Sequence, residues 1–255
     1  MTSTEPSIKS AGASPEGTLD PQSAANAVRQ MFDEIAPRCD LLNHVLSANV
    51  DRLWWWRTAR CFDHVLERAD ARVLDLCCGT GDMTMALYAR RPQQSRPIVA
   101  ADFSHQMLTR GERKFRERNA NVRTIEADAL SMPFNSAHFD LVVSAFGFRN
   151  LADYQMGLDE IARVLRPGGE IGILDFSEPK GVLGKLYRFY FKQILPRIGA
   201  LLSGSRGAYT YLPSSVEKFP EPQEMLDRMR RAGFIQVSWT PYSFGIAGLY
   251  RGTKS

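Results

Sequence analysis

The sequence predicts an α/β fold: a mostly parallel sheet with helices on both faces. Three observations carry that expectation. Short aliphatic runs alternate with amphipathic segments, a glycine turn follows the first run directly, and acids stand at or just after the ends of later runs. In such a fold ligands bind at the carboxyl ends of the strands, where the turn and the acids converge.

Taken in order, residues 1–24 are rich in Ser, Thr, Pro, Gly and Ala. Little apolar surface is available there to offset ordering entropy, so a disordered tail is expected. One folded domain then spans 25–255. Its start, 25–69, reads as a helical cap: Val28, Met31, Phe32 and Ile35 recur at helical spacing before Pro37, followed by Leu41, Leu42, Val45 and Leu46. Leu53, Trp54, Trp55 and Trp56 lead a third segment with Cys61, Phe62, Val65 and Leu66.

Arg72–Cys77 is the first expected strand, ending in the turn Cys78-Gly79-Thr80-Gly81, and Asp82–Arg90 is the helix it opens. Pro97–Asp102 is the next strand, and Ser104 caps a helix through Arg118. A short strand, Val122–Ile125, precedes Asp128-Ala129, and Phe139–Ser144 is another. Leu151–Leu165 reads as a helix stopped by Pro167-Gly168-Gly169, with a strand over Glu170–Asp175. Residues 181–216 break the alternation as a lid-like insertion. A helix over Gln223–Arg231 and strands near Phe234–Trp239 and Phe244–Gly252 close the chain.

Composition narrows the function classes. The net charge of +4 over 255 residues is too small to imply a nucleic-acid partner. Cys39, Cys61, Cys77 and Cys78 have no zinc-ligand spacing, and adjacent Cys77 and Cys78 suit no disulfide staple, which favours a reducing cytoplasm. No metal cluster is visible. The first residues lack the pattern of a secretory leader and no apolar stretch reaches about 18 residues, so a cytosolic protein is expected.

The glycine turn alone is a weak signal. Its context, after a strand and before a helix with Asp102 ending the next strand, is that of nucleotide binding, and the Asp102 carboxylate can accept from both ribose hydroxyls. Two features argue against a dinucleotide. Thr84 replaces the third glycine, and Asp82 stands at the helix N-terminus where a pyrophosphate would sit. A phosphate-free ligand carrying an ammonium tolerates acids there, Asp75 included, and S-adenosylmethionine fits. Asp128-Ala129 then suits the adenine, a carboxylate for its amino group beside a small neighbour. The plainer roles are an acid steadying the following turn for Asp102 and a solvated loop carboxylate for Asp128.

The constellation Asp75-Leu-x-Cys-Gly79-Thr-Gly81, an acid ending strand two, Asp-Ala after strand three and Arg-Pro-Gly-Gly before strand five resembles the class I methyltransferases with their Rossmann-like sheet. Within them the chain is similar to the ubiquinone/menaquinone biosynthesis C-methyltransferases. Met31-Phe32-x-x-Ile35-Ala36, Asp40-Leu-Leu-Asn43-x-Val-Leu-Ser47 and Arg52-Leu53-Trp54 carry the resemblance in the first part of the chain. Phe146-Gly147-Phe148-Arg149-Asn150, Arg163-Val-Leu-Arg-Pro-Gly-Gly169, Leu195-Pro-Arg-Ile-Gly199 and Tyr209-x-Tyr211-Leu212-Pro213-x-Ser215-Val216-x-x-Phe219-Pro220 carry it further on. The resemblance implies a seven-stranded sheet with a reversed last strand, and cofactor contacts at Thr80, Asp102, Asp128 and Ala129. It also implies C-methylation of a prenylated quinol. The Tyr-x-Tyr-Leu-Pro stretch is closer to members acting on naphthoquinols, so demethylmenaquinol is expected ahead of the ubiquinone step. Three positions depart from the family pattern: Cys39 for its Tyr, Asp51 for its His, and Asp175 for the Glu ending strand five.

Two residues are expected to serve catalysis. Arg149, after the fourth strand, can stabilise a developing phenolate; Tyr209, like Tyr211, is a weaker candidate for proton handling, since a tyrosine beside a lid more often serves as a packing wall. The stretch Pro179–Val216 carries Lys180, Lys185, Arg188, Lys192, Arg197 and Arg206 among aromatics, with no acid. That pattern suits a helix over 181–206 lying on the inner, anionic face of a membrane. The alternative is packing on its own core or against a second copy in a homodimer.

Overall fold

The computed structural model of the chain describes residues 12–13, 15, 17–18, 20–35, 49–179 and 207–255. Helices α1 (Pro21–Ile35), α2 (Val50–Arg60) and α3 (Asp63–Leu66) precede the first strand, β1 (Val73–Leu76). Then come α4 (Asp82–Tyr88), β2 (Ile98–Asp102), α5 (His105–Glu117), β3 (Val122–Glu126) and β4 (Phe139–Ala145). After them lie α6 (Tyr154–Val164), β5 (Leu165–Phe176), α7 (Gly207–Lys218), α8 (Pro222–Arg231), β6 (Phe234–Tyr242) and β7 (Ala247–Lys254).

The seven strands form one sheet in the order β3-β2-β1-β4-β5-β7-β6. β1 pairs in parallel with β2 and β4, β2 with β3 and β4 with β5, whereas β7 is antiparallel to both β5 and β6. The expected reversed last strand is therefore β7, wedged between β5 and β6. Because β1 and β4 stand at the point where strand order reverses, their carboxyl ends open the crevice that binds ligands in doubly wound sheets.

Successive side chains of the central strands point to opposite faces of the sheet, as the two-residue period requires, and both faces are buried. Val142 joins Leu76, Ile171, Ile173, Ile161 and Met225 on the face covered by α6 and α8. Leu141 and Val143 join Trp54, Trp55, Phe62, Met83 and Leu87 on the opposite face, under α2, α3 and α4. A central strand covered on both faces reads as a continuous aliphatic run, and all four residues of β1 are buried.

Local structure departs from the sequence expectation at four places. α1 begins at Pro21, inside the expected tail, and Ala13 is buried with its N–H donating to the Leu151 carbonyl at 2.7 Å. Small side chains let this backbone approach closely without a large apolar anchor. α6 begins at Tyr154, three residues after Leu151, because the side chain of the N-cap Asp153 accepts from the Met156 N–H at 2.9 Å. Pro167-Gly168-Gly169 does end the helix, yet it belongs to β5, which pairs Leu165 with Phe139 and resumes at Leu141–Glu170 across a bulge. The final strand starts at Ala247, since Ser243–Gly245 is a short 3-10 turn. The expected lid over 181–216 lies outside the described residues up to 206, as do cap residues 36–48; α7 covers the end of that lid. Among the described residues no helix is long and apolar enough to cross a membrane.

Candidate active site

The loop between β1 and α4 is built on two glycines with different duties. Gly81 is the N-cap of α4 at φ 85°, and a Cβ placed on it would meet Phe115 Cζ at 2.2 Å, so the loop packs directly on the α5 ring. Gly79, at φ 55°, would meet nothing within 4 Å and so faces open space. Thr80 between them is buried. Asp102, at the end of β2, clasps this loop: one carboxylate oxygen accepts from the Gly79 N–H at 2.8 Å and the other from the Ser104 N–H at 2.9 Å. Burial pushes Asp102 up to about 6, against those backbone donors, which pull it down.

Beneath the loop lies a second carboxylate. Asp75 is fully buried; its Oδ2 accepts from Thr84 Oγ1 at 2.5 Å, and its Oδ1 has no hydrogen-bond partner. Burial raises it to about 7, and Asp102 adds to the rise. The residue replacing a third glycine is thus the hydroxyl that fixes Asp75 to the start of α4. Asp82 does stand at the N-terminus of α4, but Lys114 lies 2.7 Å from its Oδ1. Its charge is therefore partnered, and the negative floor under the loop comes from Asp75 and Asp102. A buried carboxylate oxygen without a donor makes that floor unfavourable for a phosphate and favourable for a cation.

Beyond β3, Ala129 is buried while Asp128 is exposed, its Oδ1 accepting from the Leu130 N–H at 2.9 Å. The carboxyl ends of β1, β2 and β3 thus line up Gly79–Gly81, Asp102 and Asp128-Ala129 along one edge. α1 borders the same edge: Ser104 Oγ donates to Asp33 Oδ1 at 2.5 Å, and Arg29 lies 5.6 Å over the Phe103 ring. No local sequence signal links Asp33 to this site, since its partner lies 71 residues away.

At the ends of β4 and β5 sits a buried ion pair. The Arg149 N–H donates to Asp175 Oδ2 at 3.0 Å, and Arg149 Nη1 donates to Asp175 Oδ1 at 3.0 Å and to the Phe146 carbonyl. Both side chains are buried, and Arg149 Nε has no partner. Burial raises Asp175 even though Arg149 opposes the shift. Around the pair stand Tyr154, whose hydroxyl donates to the Arg149 carbonyl at 3.1 Å, and Tyr211, whose hydroxyl is buried without a partner and pushed up to about 12 by desolvation. Arg149 lies just past the carboxyl end of β4, where the sequence places it, and its partner is Asp175 on the neighbouring strand. Tyr209 lies on α7, with its side chain outside the described residues.

The glycine loop over an anionic floor, the acid ending β2 and the order of the sheet can be set beside known proteins. The model of the ubiE/COQ5 methyltransferase family matches residues 20–254. The chain belongs to this family. A demethylmenaquinone methyltransferase of Deinococcus radiodurans is 48% identical over 236 residues, which cover 92% of this chain and 95% of that protein. One from Thermus thermophilus is 47% identical over 225 residues, covering 88% and 100%. Among solved structures, a SAM-dependent methyltransferase of Aquifex aeolicus superposes with TM-score 0.59 at 14% identity, covering 93% of this chain and all of its own, a likeness of fold alone.

As a ubiE/COQ5 family member with this sheet, the chain is a class I S-adenosylmethionine-dependent methyltransferase. The two family departures within the described residues have structural settings. Asp51 is buried in the first turn of α2, where the helix dipole favours an acid. Asp175 is the buried partner of Arg149.

Proposed function

We propose that the protein transfers a methyl group from S-adenosylmethionine to a ring carbon of demethylmenaquinol, giving menaquinol. The observation that carries this is the anionic floor of the glycine loop, Asp75 beneath and Asp102 beside Gly79, which suits a sulfonium and ammonium ligand and not a pyrophosphate. The names of the relatives in Deinococcus and Thermus support the naphthoquinol ring ahead of the benzoquinol one.

Bound there, S-adenosylmethionine supplies an electrophilic methyl on a cationic sulfur. In this reading Asp102 accepts from the ribose hydroxyls while still bonded to the Gly79 and Ser104 amides, Gly79 lines the open side of the loop, and Thr80 beside it is a further proposed cofactor contact. Asp128 accepts from the adenine amino group beside the small Ala129. Gly81 holds the turn against Phe115, and Asp75 sets the potential below it.

Carbon methylation needs a carbon nucleophile in line with that methyl. A quinol provides one when a hydroxyl loses its proton and pushes electron density onto the ring carbon. Arg149 supplies positive charge at this edge: its unpartnered Nε and the guanidinium field lower the cost of a developing phenolate. Once the carbon–carbon bond has formed, the ring proton departs to a base or water and aromaticity returns. Tyr209 is the proposed proton carrier.

The quinol carries a prenyl tail, so the protein is read as cytoplasmic and peripheral on the inner membrane face, with 181–206 as a contact segment. The deciding experiment is turnover by purified protein with a short-chain demethylmenaquinol and labelled S-adenosylmethionine. Methylated naphthoquinol supports the reading. Labelled product only from the benzoquinol precursor moves it to the ubiquinone step.

A further inference from the structure

Helix α2 turns an uncommon face to solvent. Its exposed side chains are Arg52, Leu53, Trp56, Arg57 and Arg60, which fall on one stripe, while Asp51, Trp54, Trp55, Thr58 and Ala59 are buried. Leu53 is 50% exposed and Trp56 47%. The stripe holds three arginines and no acid, because the one acid of the helix, Asp51, points inward.

The stripe continues onto a neighbouring turn. Arg57 lies 4.3 Å over the Tyr242 ring, and Trp54 Nε1 donates to Ser243 Oγ at 2.9 Å, tying α2 to Ser243–Gly245. Phe244 in that turn has φ 60° and is 87% exposed. Left-handed backbone is unfavourable for a bulky side chain, and here it accompanies a ring standing out in water. Trp54 also packs 5.8 Å from Phe146 and 6.2 Å from Phe176, at the carboxyl ends of β4 and β5. The exposed surface therefore borders the edge that carries Arg149.

We infer that Leu53, Trp56 and Phe244, rimmed by Arg52, Arg57 and Arg60, form a docking face for an anionic lipid bilayer. The inference rests on the reading of the substrate as a prenylated quinol and gives that reading a surface. Large aromatic and aliphatic side chains interleaved with arginine partition into the headgroup region, where indole and phenyl bury and guanidinium meets phosphate. Charge selects this occupant over a second copy of the chain. A two-fold interface on the same patch would set three arginines against three. Docked this way, the carboxyl edge of the sheet faces the bilayer, so a lipid-tailed quinol reaches it without its tail crossing water.

Flotation of the full chain with phosphatidylcholine vesicles, with and without phosphatidylglycerol, tests the face. The wild type is expected to float with the anionic vesicles only. Arg52→Gln with Arg60→Gln should weaken partition by roughly fivefold per arginine, and Leu53→Ser with Trp56→Ser and Phe244→Ser should abolish flotation. Both variants change exposed positions, so circular dichroism and turnover of a short-chain quinol in detergent should match wild type. Undiminished flotation of both variants overturns the docking face and leaves membrane contact to other segments. A wild type that floats with neither vesicle overturns the face while detergent turnover still tests the quinol reading. A dimer in sedimentation that Trp56→Ser dissociates reassigns the patch to a second copy.

Discussion

Arg149 Nη1 lies 3.0 Å from Asp175 Oδ1, and the backbone N–H of Arg149 donates to the other oxygen of the same carboxylate. The two residues sit at the carboxyl ends of adjacent strands, so this pair pins the turn after β4 to the end of β5. Both are desolvated, which makes the pair far more sensitive to the loss of one partner than to its own net strength.

Asp175→Asn should therefore destabilise the protein by about 3–5 kcal/mol, the usual cost of stranding one buried charge. Thermal unfolding measures it. Asp175→Glu keeps the charge and should fall between the two. An Asp175→Asn protein melting with wild type would mean that the guanidinium reaches water in solution.

Asp102→Ala removes the acceptor for the Gly79 and Ser104 amides and the proposed ribose ligand at once. Hydrogen bonds to a charged group contribute about 1.5–3 kcal/mol, so affinity for S-adenosylmethionine should drop by roughly 10- to 150-fold in calorimetry. Unchanged affinity would remove Asp102 from the cofactor site.

The pH dependence follows from the two raised carboxyls, Asp75 at about 7 and Asp102 at about 6, both driven by burial. Their folded values lie above the unfolded value near 3.8, so the folded chain binds more protons between them and unliganded stability declines as pH rises through that window. A cationic ligand favours the ionised carboxylates and lowers both values. S-adenosylmethionine should thus bind more tightly as pH rises from about 6 to 7 and should release protons on binding there. Calorimetry in two buffers of different ionisation enthalpy reads the proton count; a count of zero contradicts the anionic floor.

Much of this architecture was legible from local pattern. The buried run before Cys78, the acid closing the next run and the cap at Ser104 each declare themselves within a few residues, because strand burial and helix capping are local. What sequence reading could not supply are pairings made across the sheet. Arg149 stood out as a cation after β4, but its partner is 26 residues away on the next strand. Asp82 looked like a charge aimed at the loop, and Lys114 on α5 answers it. Pro167-Gly168-Gly169 carried the usual helix-stop signal, and pairing with β4 drew the segment into a strand regardless.

The closest packing at the loop offers the last test. A Cβ on residue 81 would stand 2.2 Å from Phe115 Cζ and 2.4 Å from Cε1, at a φ of 85° that side chains rarely adopt. Gly81→Ala therefore meets a steric and a conformational penalty, together about 2–4 kcal/mol, with the steric part carried by one ring. Phe115→Leu on its own opens space on α5 and should cost about 1–3 kcal/mol as a core truncation. In the double variant the leucine leaves room for the new methyl, so the two losses should sum to less than their separate values by about 1 kcal/mol or more. Strict additivity in thermal unfolding would show that the loop moves away from α5. In that event S-adenosylmethionine affinity should fall in Gly81→Ala and stay low in the double variant, because the turn carrying Thr80 and Gly79 would have shifted with it.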